Sequence, residues 1–263
     1  MKKTIGIIGG GNMGAAIIAG IKGQYTVVIC EQDSRKLAQI KKRFNVRAAS
    51  LVETVKQSHV IILAVKPQNF DELLKDLKGY VKKNQLVISI AAGITTKYIE
   101  KRLGSGIKVV RSMPNLPVKV KEGMIGVCKG KKASSTDVAV ACQLFNRIGK
   151  TVVVDEKLMD AITAVSGSGP AYVFYFVEVL EKIAKSMGLK AQGLANELVM
   201  QTLKGSILLL EKEKTDASVL RQQVTSKGGT TQAALEVIFK NKTDQIFAQA
   251  LLAARKRARA LSK

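Results

Sequence analysis

Through the first 155 residues, short β-branched runs alternate with longer stretches whose apolar residues recur at helical spacing. Ile5-Gly6-Ile7-Ile8, Thr26 through Cys30, Val60 through Val65, Leu86 through Ile90, Lys108 through Arg111 and Thr151 through Val154 read as strands. Asn12 to Ile21 reads as a helix, and Leu37, Ile40 and Phe44 mark another. Near-continuous apolar strands separated by helices predict a mostly parallel sheet covered on both faces. This is a doubly wound α/β pattern.

The pattern changes after about Asp155, and from Ala161 onward no segment reads as a strand. Ser168-Gly169-Pro170 opens a long helix, with Pro170 suited to its first turn and Gly188 closing it. Val173, Val177, Leu180, Ala184 and Met187 hold one face, while Phe174, Phe176, Val179 and Ile183 make the others apolar too. A helix apolar nearly all round is expected to be buried, and in so small a region that points to a subunit interface. Further helices are expected from Leu194 to Leu210 and within about Gln232–Phe239 and Asp244–Leu261, with Val224 to Thr231 as a loop.

Gly9-Gly10-Gly11-Asn12-Met13-Gly14 fits G-x-G-x-x-G directly after a strand and at the start of a helix, the context of a Rossmann dinucleotide-binding turn. Gly9 permits the turn, Gly11 lets a pyrophosphate approach, and Gly14 allows helix and strand to pack closely. Glu31, at the end of the second strand, is placed to accept hydrogen bonds from an adenosine ribose and to repel a 2′-phosphate, which leans toward NADH over NADPH. Arg35 and Lys36 follow and work in the opposite direction. Open sheets bind ligands at the carboxyl ends of their strands. Ala64-Val65-Lys66-Pro67, Ala91-Ala92-Gly93 and the turn containing Pro114 and Asn115 occupy such ends.

Composition narrows the choice. The net charge of +23 favours anionic partners, including nucleic acid, phosphate-bearing cofactors and carboxylates. An aromatic content of 5% without tryptophan leaves little material for stacking bases and argues against nucleic acid. Cys30, Cys128 and Cys142 are scattered and His59 is the sole histidine, so neither a disulfide framework nor a metal is expected. His59, just before a buried run, reads as a strand-edge residue. No apolar run spans a bilayer. The N-terminal apolar stretch is cut at Gly9 without a cleavage pattern, so a cytoplasmic location is expected.

The glycine loop, Ala64-Val65-Lys66-Pro67, Arg111-Ser112-Met113-Pro114-Asn115, Ser166-Gly167-Ser168-Gly169-Pro170-Ala171-Tyr172 and Thr225-Ser226-Lys227-Gly228-Gly229-Thr230-Thr231 occur in order. Together they resemble the pyrroline-5-carboxylate reductase family. The resemblance implies a Rossmann domain over residues 1–157 and a helical dimerisation and substrate-binding domain over 158–263. It implies a homodimer, or a larger assembly of dimers, that reduces 1-pyrroline-5-carboxylate to L-proline with NADPH or NADH. The substrate loop maps onto Ser226, Gly228, Gly229, Thr230 and Thr231, with the Thr231 hydroxyl at the ring nitrogen as the catalytic contact. Glu156 is placed near the substrate by the same resemblance; by itself it reads as a surface turn. Lys227 stands where the family has proline, and Leu116 where it commonly has threonine.

The chemistry is coherent without a histidine. The cofactor supplies hydride, so the protein must mainly bind and orient the imine. A β-hydroxy acid enzyme of the same fold group would present a lysine near the start of its helical domain, and none lies between Met159 and Glu181. Two other readings stay open: a paralogue acting on another cyclic imine, and a non-catalytic basic protein that kept the fold to bind nucleic acid.

Overall fold

A computed structural model describes residues 2–262. Among them, eight strands make one sheet: β1 (Thr4–Ile8), β2 (Thr26–Cys30), β3 (Arg47–Ala48), β4 (Val60–Leu63), β5 (Leu86–Ser89), β6 (Lys108–Met113), β7 (Gly123–Lys129) and β8 (Gly149–Val153). Their order is β3-β2-β1-β4-β5-β6-β7-β8. Every pairing is parallel except β6 with β7, where Arg111 faces Cys128.

The apolar runs are continuous because alternate residues feed two cores. On β4, Val60 and Ile62 join one cluster while Ile61 and Leu63 join the other; on β5, Leu86 and Ile88 oppose Val87. Helices α1 (Asn12–Ile21) and α2 (Ser34–Phe44) cover the first face through Ile17, Ile18, Ile21, Ile40 and Phe44. Helices α3 (Leu51–Gln57), α4 (Phe70–Leu77) and α5 (Thr96–Leu103) cover the second through Val55, Phe70, Leu74 and Ile99. Helix α6 (Ser135–Phe145) returns to the first face with Leu144 and Phe145. The chain leaves β1 in one direction toward β2 and later resumes on its other side at β4. That reversal opens a crevice at the carboxyl end of β1, where doubly wound sheets bind ligands.

The predicted sheet is present, with two strands added. β3 spans only two residues. β7 was hidden by Gly123 and Gly126, which interrupt its apolar run for a packing reason. A β-carbon at Gly123 would lie 2.3 Å from Val118 Cγ1, and one at Gly126 would lie 2.9 Å from Ile162 Cγ2.

Beyond the sheet, α7 (Met159–Ile162) runs into a π turn (Thr163–Gly167), followed by α8 (Gly169–Ser186), α9 (Leu194–Glu213), α10 (Ala217–Gln223), α11 (Thr230–Lys240) and α12 (Thr243–Ala260). The short α10 was not foreseen. The chain divides into two compact units: one runs through Pro170 and includes the residues from Ala253 onward, and the second is Ala171–Leu252. Within the second, Asn196 Nδ2 donates to Glu181 Oε1 at 2.6 Å, tying α9 to α8, and Arg221 lies 5.4 Å above the Phe239 ring, tying α10 to α11. The expected burial of α8 is not met within a single chain: none of its residues is buried, and Phe174 and Tyr175 are 56% and 66% exposed. No described helix is long and apolar enough to cross a membrane.

Candidate active site

The first unit contains all the residues expected to hold a dinucleotide. Gly9 has φ 105°, and a β-carbon there would lie 2.6 Å from Ala64 O, so the turn passes directly against the end of β4. A β-carbon at Gly14 would stand 2.2 Å from Gly9 O, which is how closely α1 lies on the turn. Gly11 differs: nothing lies within 4 Å of where its β-carbon would be. Gly11 is also the N-cap of α1 and makes no side-chain cap, so the first N–H groups of the helix are presented without a protein acceptor from that residue. An open position before an uncapped helix start is what a pyrophosphate requires. Asn12 begins the helix at the surface, and Met13 packs against the first core. A groove of about 580 Å³ joins the separate motifs, lined by Gly9, Gly11, Glu31, Ala64, Val65 and Lys66. Pro67 starts the short 3-10 turn beyond Lys66.

Glu31 is turned onto the glycine loop. Its carboxylate accepts from Gly10 N at 2.5 Å and from Asp33 N at 2.9 Å. Asp33 caps α2 by accepting from Arg35 N at 3.0 Å and Lys36 N at 3.1 Å, and it pairs with Lys36 Nζ at 3.2 Å. These bonds, the Lys36 backbone N–H foremost, hold the Asp33 carboxyl below its ordinary value. Lys36 therefore shares its charge with Asp33 beside the groove. His59 has a backbone role: its Nδ1 accepts from Thr4 N at 3.1 Å.

The ends of β5 and β6 are held from below. Ala91 is buried, Ala92 is half-buried and Gly93 has φ 73°. Asn115, after Pro114, donates from Nδ2 to Ser166 O at 3.2 Å and accepts Met124 N at 2.9 Å, which fixes the turn to the π segment and to β7. Glu156 is engaged by its own unit: it accepts from Thr96 N at 2.8 Å and Thr96 Oγ1 at 2.7 Å. Arg111 Nη1 lies 3.5 Å from the same carboxylate, and Arg111 Nη2 lies 3.8 Å from Asp160 Oδ1. Arg111 is 2% exposed, and its Nε and Nη2 find no hydrogen-bond acceptor. A buried guanidinium needs both carboxylates nearby to remain tolerable. Arg111, Thr96 and Asp160 were not marked as site residues by sequence, although a cation closing an apolar strand was the available signal. Beside them, burial and then the Glu156 charge push the Cys128 thiol up to about 12, so it stays neutral and inert.

In the second unit, Ser226 to Gly229 lie in the turn between α10 and α11, while Thr230 and Thr231, expected in the loop, are the first residues of α11. Gly229 is the N-cap of α11 and offers no side-chain cap. Gly229 N donates to Ser226 O at 3.1 Å, and a β-carbon on Gly229 would lie 2.3 Å from Ser226 Oγ. The first helical bond runs from Ala233 N to Gly229 O, so the N–H groups of Thr230, Thr231 and Gln232 precede it. Gly228 N donates to Gln232 Oε1 at 2.7 Å. Ser226 and Thr230 are exposed and Thr231 is half-buried. The segment combines free N–H groups at an uncapped helix start with three hydroxyls close by in sequence, a setting suited to a carboxylate.

Residues 156–261 match the family described as pyrroline-5-carboxylate reductase dimerisation, and residues 4–93 match that described as NADP oxidoreductase coenzyme F420-dependent. The chain is 37% identical to the pyrroline-5-carboxylate reductase of Haemophilus influenzae, over 95% of this chain and 94% of the relative. It is 35% identical to that of Synechocystis over the full length of both. Among solved structures, a pyrroline-5-carboxylate reductase from Coxiella burnetii superposes with a TM-score of 0.91 at 34% identity, covering both chains completely. The Plasmodium falciparum pyrroline carboxylate reductase with NADP bound gives 0.89 at 32% identity, over 99% of this chain and 98% of that one.

Two predictions follow from the packing. Gly11→Ala meets no neighbour and needs no unusual backbone, so its melting temperature should match or exceed the parent's. Its affinity for NADPH, read by nicotinamide fluorescence, should fall about tenfold or more, as a methyl group enters the phosphate approach. Gly14→Ala should instead lower the melting temperature; if the two variants behave alike, the assigned roles are wrong. Glu156→Ala removes the nearest compensation from a buried guanidinium and should cost about 3 kcal/mol in urea unfolding. A fully stable Glu156→Ala protein with reduced turnover would assign Glu156 to the substrate instead.

Proposed function

Because the chain belongs to the pyrroline-5-carboxylate reductase family, we propose that its glycine loop holds NAD(P)H and its Ser226–Thr231 loop holds the imine substrate. The protein is an NAD(P)H-dependent oxidoreductase that reduces 1-pyrroline-5-carboxylate to L-proline, the closing step of proline synthesis. It acts as a homodimer built on its helical region. The reading is carried by one observation above the others. A single chain, aligned end to end with these relatives, contains both an open glycine cradle and a second uncapped helix start behind Gly228 and Gly229.

We assign residues 1–157 to dinucleotide binding and 158–263 to dimerisation and substrate binding; residues 1 and 263 lie outside those described. In the first region, Gly9, Gly11, Asn12, Met13 and Gly14 hold the pyrophosphate. Ala64, Val65, Lys66 and Pro67 border it, and Ala91 to Gly93 with Pro114 and Asn115 flank the nicotinamide. Bound NAD(P)H supplies the hydride. The protein's contribution is orientation and charge. The N–H groups opening α11, together with the hydroxyls of Ser226 and Thr230, hold the substrate carboxylate. The Thr231 hydroxyl meets the ring nitrogen, where it stabilises the N–H or passes the proton that accompanies hydride addition to the C=N carbon. Glu156 supports the site through Thr96 and Arg111. We also place the protein in the cytoplasm.

Purified protein should oxidise NADH or NADPH on addition of pyrroline-5-carboxylate, and more slowly with the six-membered imine. Faster turnover of the larger ring would favour a paralogous imine reductase. Glu31 leans the choice toward NADH, and a tenfold higher kcat/KM with NADPH would remove it as the discriminator. Thr231→Ala should lower kcat by about tenfold or more, the scale of a lost oriented proton contact. Unchanged kinetics would take Thr231 out of the mechanism.

A further inference from the structure

The residues that follow α12 lie against the loop at the end of β5. A β-carbon at Gly93 would stand 2.6 Å from Leu261 O, 2.8 Å from its carbonyl carbon and 3.1 Å from its Cβ. Leu261 and the loop belong to the same compact unit. The segment is itself ordered by bonds from Leu261 N to Arg257 O and from Ser262 N to Arg259 O, each 3.0 Å, and Ala258 is buried beneath it. Ser262 Oγ lies 3.2 Å from Ala258 O and 3.4 Å from Asp160 Oδ1. Asp160 neighbours Arg111, Arg111 neighbours Glu156, and Glu156 binds both donors of Thr96. Loop residues 91–96 are therefore gripped twice: at Gly93 by Leu261, and at Thr96 by the carboxylate at the other end of the same polar chain.

We propose that Leu261 and Ser262 are positioning residues for hydride transfer, holding the Ala91–Gly93 loop at the depth its small residues require. This rests on the reading that the loop flanks the nicotinamide. Neither residue touches reactants; each acts through Gly93 or Asp160. Hydride transfer is sensitive to displacements of an ångström, whereas adenosine binding beside Glu31, three strands along the same rim, is not affected by a shift of this loop.

The test uses the double variant Leu261→Pro/Ser262→Ala, in which loss of the Leu261 N–H to Arg257 O bond displaces the backbone carbonyl that faces Gly93, the single variants Ser262→Ala and Ser262→Thr, and Ala92→Leu. Each is assayed for kcat, for affinity toward NADPH, and for affinity toward 2′-phospho-ADP-ribose, which lacks the nicotinamide. The double variant should lose about tenfold in kcat with an unchanged melting temperature and unchanged affinity for the fragment. Ser262→Ala should show part of that loss, and Ser262→Thr should restore it. Wild-type kcat in the double variant, or equal weakening toward both ligands, overturns the proposal. Ala92→Leu separates the two levels. If it weakens NADPH but not the fragment while the double variant is silent, the loop reading stands and the positioning role falls. If Ala92→Leu leaves NADPH affinity intact, the loop does not flank the nicotinamide and both fall.

Discussion

The distance of closest approach between α1 and the turn before it governs much of the first unit. The Gly9 carbonyl lies where a β-carbon of residue 14 would otherwise be, and Gly9 itself is pressed against the end of β4. Only backbone can occupy these positions. The consequence is that three chain segments, β1, α1 and the end of β4, meet with little more than backbone and the Ala64 methyl group between them, and the N–H groups of the helix arrive at the crevice where the sheet reverses direction. The buried faces of β4 and β5 then carry the sheet onward to β6, which places small residues and a stiff turn on the same rim.

A second organising element is the guanidinium of Arg111. Charge inside an apolar sheet is costly unless compensated. Its compensation comes from Glu156 and Asp160, which lie at the junction where the strand-forming sequence gives way to helices. One ionic cluster thus joins β6 to α7 and to the short turn at Glu156 that precedes it. The antiparallel β7 is part of this arrangement, because Arg111 faces Cys128 across the ladder.

Strands such as Val60–Leu63 were legible in the chain because burial on both faces leaves an uninterrupted apolar run. The glycine cradle was legible because its spacing has a steric meaning: a β-carbon at Gly9 or Gly14 would collide with backbone, whereas Gly11 stands in open space. β7 was not, since the same property that makes glycine useful at positions 123 and 126, its lack of a side chain, erases the apolar signal. Arg111 read only as the end of a strand and the start of a polar turn; its burial and its partners were not legible, because Glu156 and Asp160 lie far downstream in sequence. Glu156 was noticed through family resemblance, yet its bonds to Thr96 depend on how β5 and β8 are spaced in the sheet, which no local pattern records. The loop Ser226–Thr231 was legible as a motif, and its uncapped helix start gave the motif a physical basis.

Helix α8 leaves Val173, Phe174, Tyr175 and Phe176 exposed in one chain, and α11 does the same with Val237 and Phe239. These apolar faces lie within the region that matches the dimerisation family, where a homodimer can draw on them. Such a protein has no single stability independent of its amount: each dilution shifts the balance toward chains with uncovered aromatics. For this molecule, then, a melting temperature has meaning only beside the concentration at which it was read, because association contributes to what is measured.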